Sequence, residues 1–152
     1  MKKQDFSTSI IVNQPKVVVF NAVTEVSKWW NEEMIGKSEV LHDEFEVNFG
    51  NMHRSVQRLI EVMPNEKITW LVTDSNLSFL KDSSEWTRTK IHFNISEKDG
   101  KTTLSLTHEG LSESVECYNA CSNGWTLYMQ NSLRCLIETG KGKPGFPPEE
   151  GC

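Results

Sequence analysis

The sequence predicts an α+β domain, a curved antiparallel sheet closed on one face by a long helix near the C-terminal end. Three observations carry this. Short segments between Phe6 and His108 alternate apolar and polar residues, the period of half-buried strands. Gly50-Asn51, Pro64-Asn65 and Lys98-Asp99-Gly100-Lys101 punctuate them with turn chemistry. Finally, Tyr118, Cys121, Trp125, Met129, Leu133, Leu136 and Ile137 recur at spacings of three and four, one face of a helix. A sheet of this kind leaves one face bare. A late helix laid across it completes the core, and any cavity lies between the two.

In chain order, Phe6, Thr8, Ile10 and Val12 share one face of a first strand, which Gln14-Pro15 ends. Proline suits a helix start, and Val19, Phe20, Val23, Val26 and Trp30 follow helical spacing despite the β-propensity of the valines. Two short helices are expected here, the second capped by Thr24 or Ser27. A polar connector leads to Phe45, Val47 and Phe49, which alternate with Glu46 and Asn48. In the next strand Val56, Ile60 and Val62 mark the inward parity, and Arg54 and Arg58 share it. Ile68, Trp70 and Val72 form another strand, Asp74 to Glu85 an ordered loop or short strand, and Trp86 opens the next extended segment with Ile91, Phe93 and Ile95. Its hairpin partner places Leu104, Leu106 and His108 on one face. In the late helix, Ser122-Asn123-Gly124 is a weak triplet at which a bend is expected.

A chain of 152 residues with 37% hydrophobic and 24% charged residues has material for one core, so a single domain over 1–142 with a flexible tail over 143–152 is expected. The net charge of −5, without a basic stripe, excludes a general nucleic-acid binder. No apolar run approaches the ~20 residues of a membrane helix, and the start lacks a secretory h-region, so a cytoplasmic protein is expected. Of the four cysteines, Cys117 and Cys121 stand four apart and are read as reduced thiols.

Several runs together resemble a known family: Asn21-Ala22-Val23 through Ser27-Lys28-Trp29-Trp30, Met52-His53-Arg54-Ser55, Ile68-Thr69-Trp70 and Glu85-Trp86-Thr87. Thr107-His108-Glu109-Gly110-Leu111, Glu116-Cys117 with Cys121 and Trp125, Ser132-Leu133, and Leu136 through Gly142 complete the set. Over roughly 5–142 the chain is similar to the START-like, helix-grip superfamily (SRPBCC), in the branch grouped with the C-terminal domain of the activator of Hsp-90 ATPase. The resemblance implies the helix-grip fold. Its members include lipid carriers, hormone-binding proteins, polyketide cyclases and a co-chaperone domain, so it does not name one function.

The leading expectation is a binding protein for a small apolar ligand, lipid-like or aromatic, held between sheet and helix. Candidate ligand-binding residues are Trp30, Phe49, Arg54, Arg58, Trp70, Phe93, His108, Cys121, Trp125 and Met129. Aromatic side chains supply apolar wall with polar handles, and an inward arginine needs an acidic partner or an anionic ligand. The resemblance also implies a chaperone-interaction module for an Hsp-90-type ATPase, and a homodimer is a further expected partner state. A cyclase- or hydrolase-like catalyst would use His108 for acid–base work, but no nucleophile–base–orienter set accompanies it. Cys117, Cys121 and His108 could form a metal site, although Cys-x-x-x-Cys departs from the usual zinc knuckle. No cofactor is expected.

Overall fold

The computed structural model describes residues 4–145. A first strand, β1 (Phe6–Val12), leads into two short helices, α1 (Lys16–Thr24) and α2 (Val26–Trp29). Six strands follow: β2 (Ile35–Gly36), β3 (Glu44–Phe49), β4 (His53–Met63), β5 (Lys67–Leu77), β6 (Lys90–Lys98) and β7 (Lys101–Glu109). They form one antiparallel sheet in the order β1-β7-β6-β5-β4-β3-β2. The β6–β7 hairpin turns through Asp99 and Gly100, both at positive φ, as a two-residue turn matching the strand twist requires.

The C-terminal helix runs without interruption through α3 (Tyr118–Leu127), a π-helical turn (Tyr128–Leu133) and α4 (Arg134–Thr139). Ser122-Asn123-Gly124 lies in regular α-helix, so the expected bend is not where the geometry changes. The irregularity falls one turn later, in the π segment, whose Ser132 hydroxyl donates to the Trp29 carbonyl of α2 at 2.6 Å. Gly140 ends the helix at φ 82° and donates its N–H to the Leu136 carbonyl, a left-handed cap. The chain then doubles back. The Lys143 N–H bonds Ser132 Oγ and the Gly145 N–H bonds the Trp30 carbonyl, so the first three residues of the expected tail are docked. The remainder of that tail lies outside the described residues.

The core sits between the concave face of the sheet and the helices, built on Trp29, Trp70, Phe45, Phe93 and Ile68. Trp29 stacks on Trp70 with ring centroids 6.3 Å apart. Burial in β4 corrects the sequence reading: Ser55, Gln57 and Leu59 face inward, whereas Arg58 and Ile60 are exposed. The cause is a shift in the β4–β5 register between Leu59 and Glu61. Val62, opposite Ile68, therefore packs against the core although it has the opposite parity to Leu59. Counting back from Val62 by twos crosses that bulge and places every upstream residue on the wrong face. Trp86 is also not in a strand; it lies in the β5–β6 connection, and β6 begins only at Lys90.

Candidate functional site

A cavity of about 250 Å³ opens beside the C-terminal helix. Its sheet side is made where α2 and β3 end and β4 begins, by Trp30, Phe49 and His53. Cys121, Gly124, Trp125 and Tyr128 form the helix side, a helical face at spacings of three, one and three. The β5–β6 connection contributes Trp86, and Met52 and Phe79, each nearly half exposed, stand at the rim. The tryptophans form a continuous wall: Trp30 and Trp125 have centroids 4.9 Å apart, and Trp86 stacks on Trp125 at 5.8 Å and 14°. Gly124 leaves room on the helix side, where an added Cβ would meet nothing within 4 Å.

Behind this wall runs a chain of hydrogen bonds whose direction is set by chemistry. The Trp125 indole, a donor only, gives its N–H to His108 Nδ1 at 3.0 Å. The His108 ring proton is therefore on Nε2, which donates to Thr89 Oγ1 at 2.8 Å, and Thr89 donates to the Trp86 carbonyl at 2.6 Å. His108 is completely buried, and burial, with smaller contributions from the charges of His53 and His92, pushes its pKa down to about 3. Both ring nitrogens are engaged. His108 thus fixes the helix to β7 and has no free nitrogen for acid–base chemistry.

The second histidine, His53, is boxed edge-to-face by Trp86 at 4.8 Å and Phe49 at 5.4 Å. Its Nε2 lies 2.8 Å from Ser55 Oγ, which also accepts from the Gln57 amide nitrogen. Burial pushes its pKa down to about 4, so the ring is neutral at neutral pH. The Tyr128 phenol donates to the Gly145 carbonyl, and burial pushes its pKa up.

The candidate residues divide into three groups. Trp30, Phe49, Cys121 and Trp125 line the cavity. Trp70, Phe93, Met129 and His108 are buried but do not line it. Arg54 and Arg58 stand on the opposite face of the sheet, a correction that follows from the β4 parity. The Arg54 guanidinium spans Glu46 at 2.9 Å and Asp74 at 2.8 Å, and Arg58 is exposed near His42. Asp74, and then Glu46, hold the Arg54 proton, so no anionic ligand is needed to balance that guanidinium.

Reading of the cysteines also changes. Cys117 and Cys121 form a disulfide with Cα atoms 5.5 Å apart, inside the span that a disulfide bridges. Cys117 immediately precedes the first helical residue, and Glu85 accepts its N–H and that of Glu116. Bonded sulfurs and a saturated His108 cannot make the imagined metal site. Among the described residues no group of three or more His, Cys, Asp and Glu is placed to hold a metal.

His53, Trp86, Ala120, Gly124 and Tyr128 are wall residues that sequence reasoning did not select. Tyr128 was legible three positions after Trp125. Trp86 was hidden because a loop side chain has no periodicity to read, and Gly124 because its contribution is the absence of a side chain. A wider groove, about 850 Å³, runs between α1–α2 and the connection to β3. Lys28 pairs with Glu25 there, and the Asp43 carboxylate accepts the backbone N–H groups of Glu39 and Val40.

The family model described as Activator of Hsp90 ATPase homolog 1-like protein matches residues 13–138. No curated protein sequence matches the chain. Among solved structures it is similar to the Aha1 dimer from Colwellia psychrerythraea, with TM-score 0.73 and 20% identity over 91% of this chain and 98% of that one. It is also similar to DynU16, from the dynemicin biosynthetic locus, with TM-score 0.68 and 16% identity over 93% of this chain and 49% of that one. SSP2350 from Staphylococcus saprophyticus gives TM-score 0.67 and 16% identity over 91% and 94%. At such identities the structural likeness is one of fold. With the family match over most of its length, the chain belongs to the Activator of Hsp90 ATPase homolog 1-like family, within the START-like (SRPBCC) helix-grip fold.

Proposed function

We propose that the protein binds a small, largely apolar aromatic molecule in the cavity between its sheet and its C-terminal helix. The observation that carries this is the wall of Trp30, Trp86 and Trp125, closed by Phe49 and Tyr128 and left open at Met52 and Phe79. Large apolar side chains are ordinarily spent on filling space; here they surround it. A cavity of roughly 150 Å³ admits benzene. At about 250 Å³ this one suits a bicyclic ring system.

Naphthalene titration followed by quenching of tryptophan fluorescence tests the proposal. Saturable quenching is expected in the wild type and its loss in Gly124→Leu, whose side chain would occupy the cavity from a position where nothing else stands. Quenching that is absent in the wild type, or unchanged in Gly124→Leu, overturns it. A catalytic reading draws no support from His108, whose two nitrogens are both bonded. A co-chaperone role and a homodimer draw on the family description and on the Colwellia relative alone. Pull-down with a cognate Hsp-90-type ATPase, and sedimentation, test these. Among the described residues no helix is long and apolar enough to cross a membrane. Cytoplasmic location belongs to the proposal too, with the Cys117–Cys121 disulfide as the observation against it.

A further inference from the structure

We infer that His53 is the specificity residue of this cavity and offers it a Nδ1–H donor, so that the ligand is a neutral aromatic molecule carrying a carbonyl oxygen. The inference rests on the cavity reading above and adds the ligand's polar group to it.

The direction of the donor follows from the buried residues behind the ring. Gln57 is fully buried and its amide nitrogen donates to Ser55 Oγ. Ser55 Oγ keeps one proton, and the other partner within reach is His53 Nε2 at 2.8 Å. An Nε2 that accepts leaves the ring proton on Nδ1. Ser55 is the only described residue that bonds the His53 ring. Gln57 Oε1 is the one buried side-chain nitrogen or oxygen left without a partner among the described residues. An unbonded Nδ1 is therefore not sealed in protein, and it belongs to a ring that lines the cavity.

Other polar handles on the wall narrow the ligand further. The N–H of Trp86 goes to Cys121 Sγ, that of Trp125 to His108, and the Tyr128 hydroxyl to Gly145. The Trp30 indole, unbonded among the described residues, is a donor as well. Both available groups thus call for an acceptor. No acidic or basic side chain besides His53 lines the cavity. An ionic ligand would lose its hydration there without a counter-charge, which leaves a neutral oxygen. His53 and His108 then hold opposite tautomers, the first set by a serine and the second by a tryptophan.

The test compares 2-acetylnaphthalene with 2-isopropenylnaphthalene, in which a methylene replaces the carbonyl oxygen, by fluorescence quenching on wild type and His53→Phe. Wild type is expected to bind the ketone about tenfold more tightly, the worth of one hydrogen bond to a group otherwise left unpaired. In His53→Phe this ratio should fall at least threefold while the hydrocarbon still binds. A 15N-detected imidazole spectrum of the wild type should show His53 protonated on Nδ1 and His108 on Nε2, a readout that survives any misfolding of the variant. Equal affinities in wild type, an unchanged ratio in His53→Phe, or an Nε2-protonated His53 overturns the inference and leaves the cavity reading standing. If neither naphthalene binds, the cavity reading falls and this inference with it.

Discussion

The indole N–H of Trp125 donates to Nδ1 of His108 at 3.0 Å, and this bond joins the C-terminal helix to the last strand of the sheet. One residue walls the cavity and the other lies fully buried behind it, so the shape of the site and the stability of the fold depend on the same contact. Trp125→Phe keeps most of the apolar surface but strands the acceptor nitrogen. A buried polar atom left unpaired costs about 1–3 kcal/mol. Urea unfolding should show a loss of that order, and Trp125→Phe with His108→Ala should lose less than the sum of the single variants. Strict additivity would mean that the bond contributes nothing.

Acid should destabilise the protein through its two buried histidines. An unfolded histidine titrates near 6.5, whereas folded His53 and His108 titrate at about 4 and about 3. Between these values the unfolded chain holds more protons than the folded one, so stability rises with pH. The contribution is complete above about pH 6.5. It is lost as pH falls toward 4 for His53 and toward 3 for His108. Each histidine can supply a slope of up to about 1.4 kcal/mol per pH unit. His108→Gln retains an acceptor and a donor but does not titrate. Its denaturation midpoint should vary less steeply than the wild type's between pH 6.5 and 4.5; equal slopes would show that His108 is not held neutral.

How far the sequence could lead is clearest in β4. The alternation of Phe45, Val47 and Phe49 placed β3 correctly, and the spacing of Trp125, Met129 and Leu133 placed the long helix. In the first half of β4 the inward positions Ser55 and Gln57 are polar, while Val56 and Ile60 have the outward parity. No hydropathy rule recovers that arrangement, because the polar residues are there to serve His53 and the bulge erases the phase. The family resemblance carried the fold, but the cavity depends on a loop tryptophan and a helical glycine that have no pattern to declare them.

Arg54 tests the corrected parity. Its guanidinium pairs with Glu46 and Asp74 on the outer face, with its side chain 40% exposed. Exposed pairs of this kind contribute about 0–1 kcal/mol. Arg54→Ala should therefore cost no more than about that in urea unfolding and leave naphthalene quenching unchanged. Loss of binding would return Arg54 to the site.

Gly110 supports the histidine chain from outside. It holds φ at 103°, and an added Cβ would lie 2.7 Å from Cγ2 of Thr89, whose hydroxyl accepts from His108. Gly110→Ala combines a strained backbone with displacement of a hydrogen-bonding side chain. Together these are expected to cost about 1–3 kcal/mol. Gly100→Ala, also at positive φ but with open space around its Cβ, isolates the backbone share and should cost less. Equal losses would show that Thr89 moves aside freely.

Reduction of the Cys117–Cys121 disulfide separates the bond from its sulfur atoms. The two cysteines are four residues apart, so the bond closes a very short loop and constrains the unfolded chain little; the chain-entropy relation gives about 2 kcal/mol. Dithiothreitol should lower stability by no more than this. It should also leave ligand binding intact, because a Cys121 thiol still accepts the Trp86 indole N–H that the disulfide sulfur accepts at 3.3 Å. Cys117→Ala with Cys121→Ala removes the acceptor as well as the bond. Trp86 then loses the contact that orients its ring over Trp125, and quenching by naphthalene should weaken in this variant but not in the reduced wild type. If reduction alone abolishes binding, the cavity depends on the covalent bond itself rather than on the sulfur that Trp86 touches.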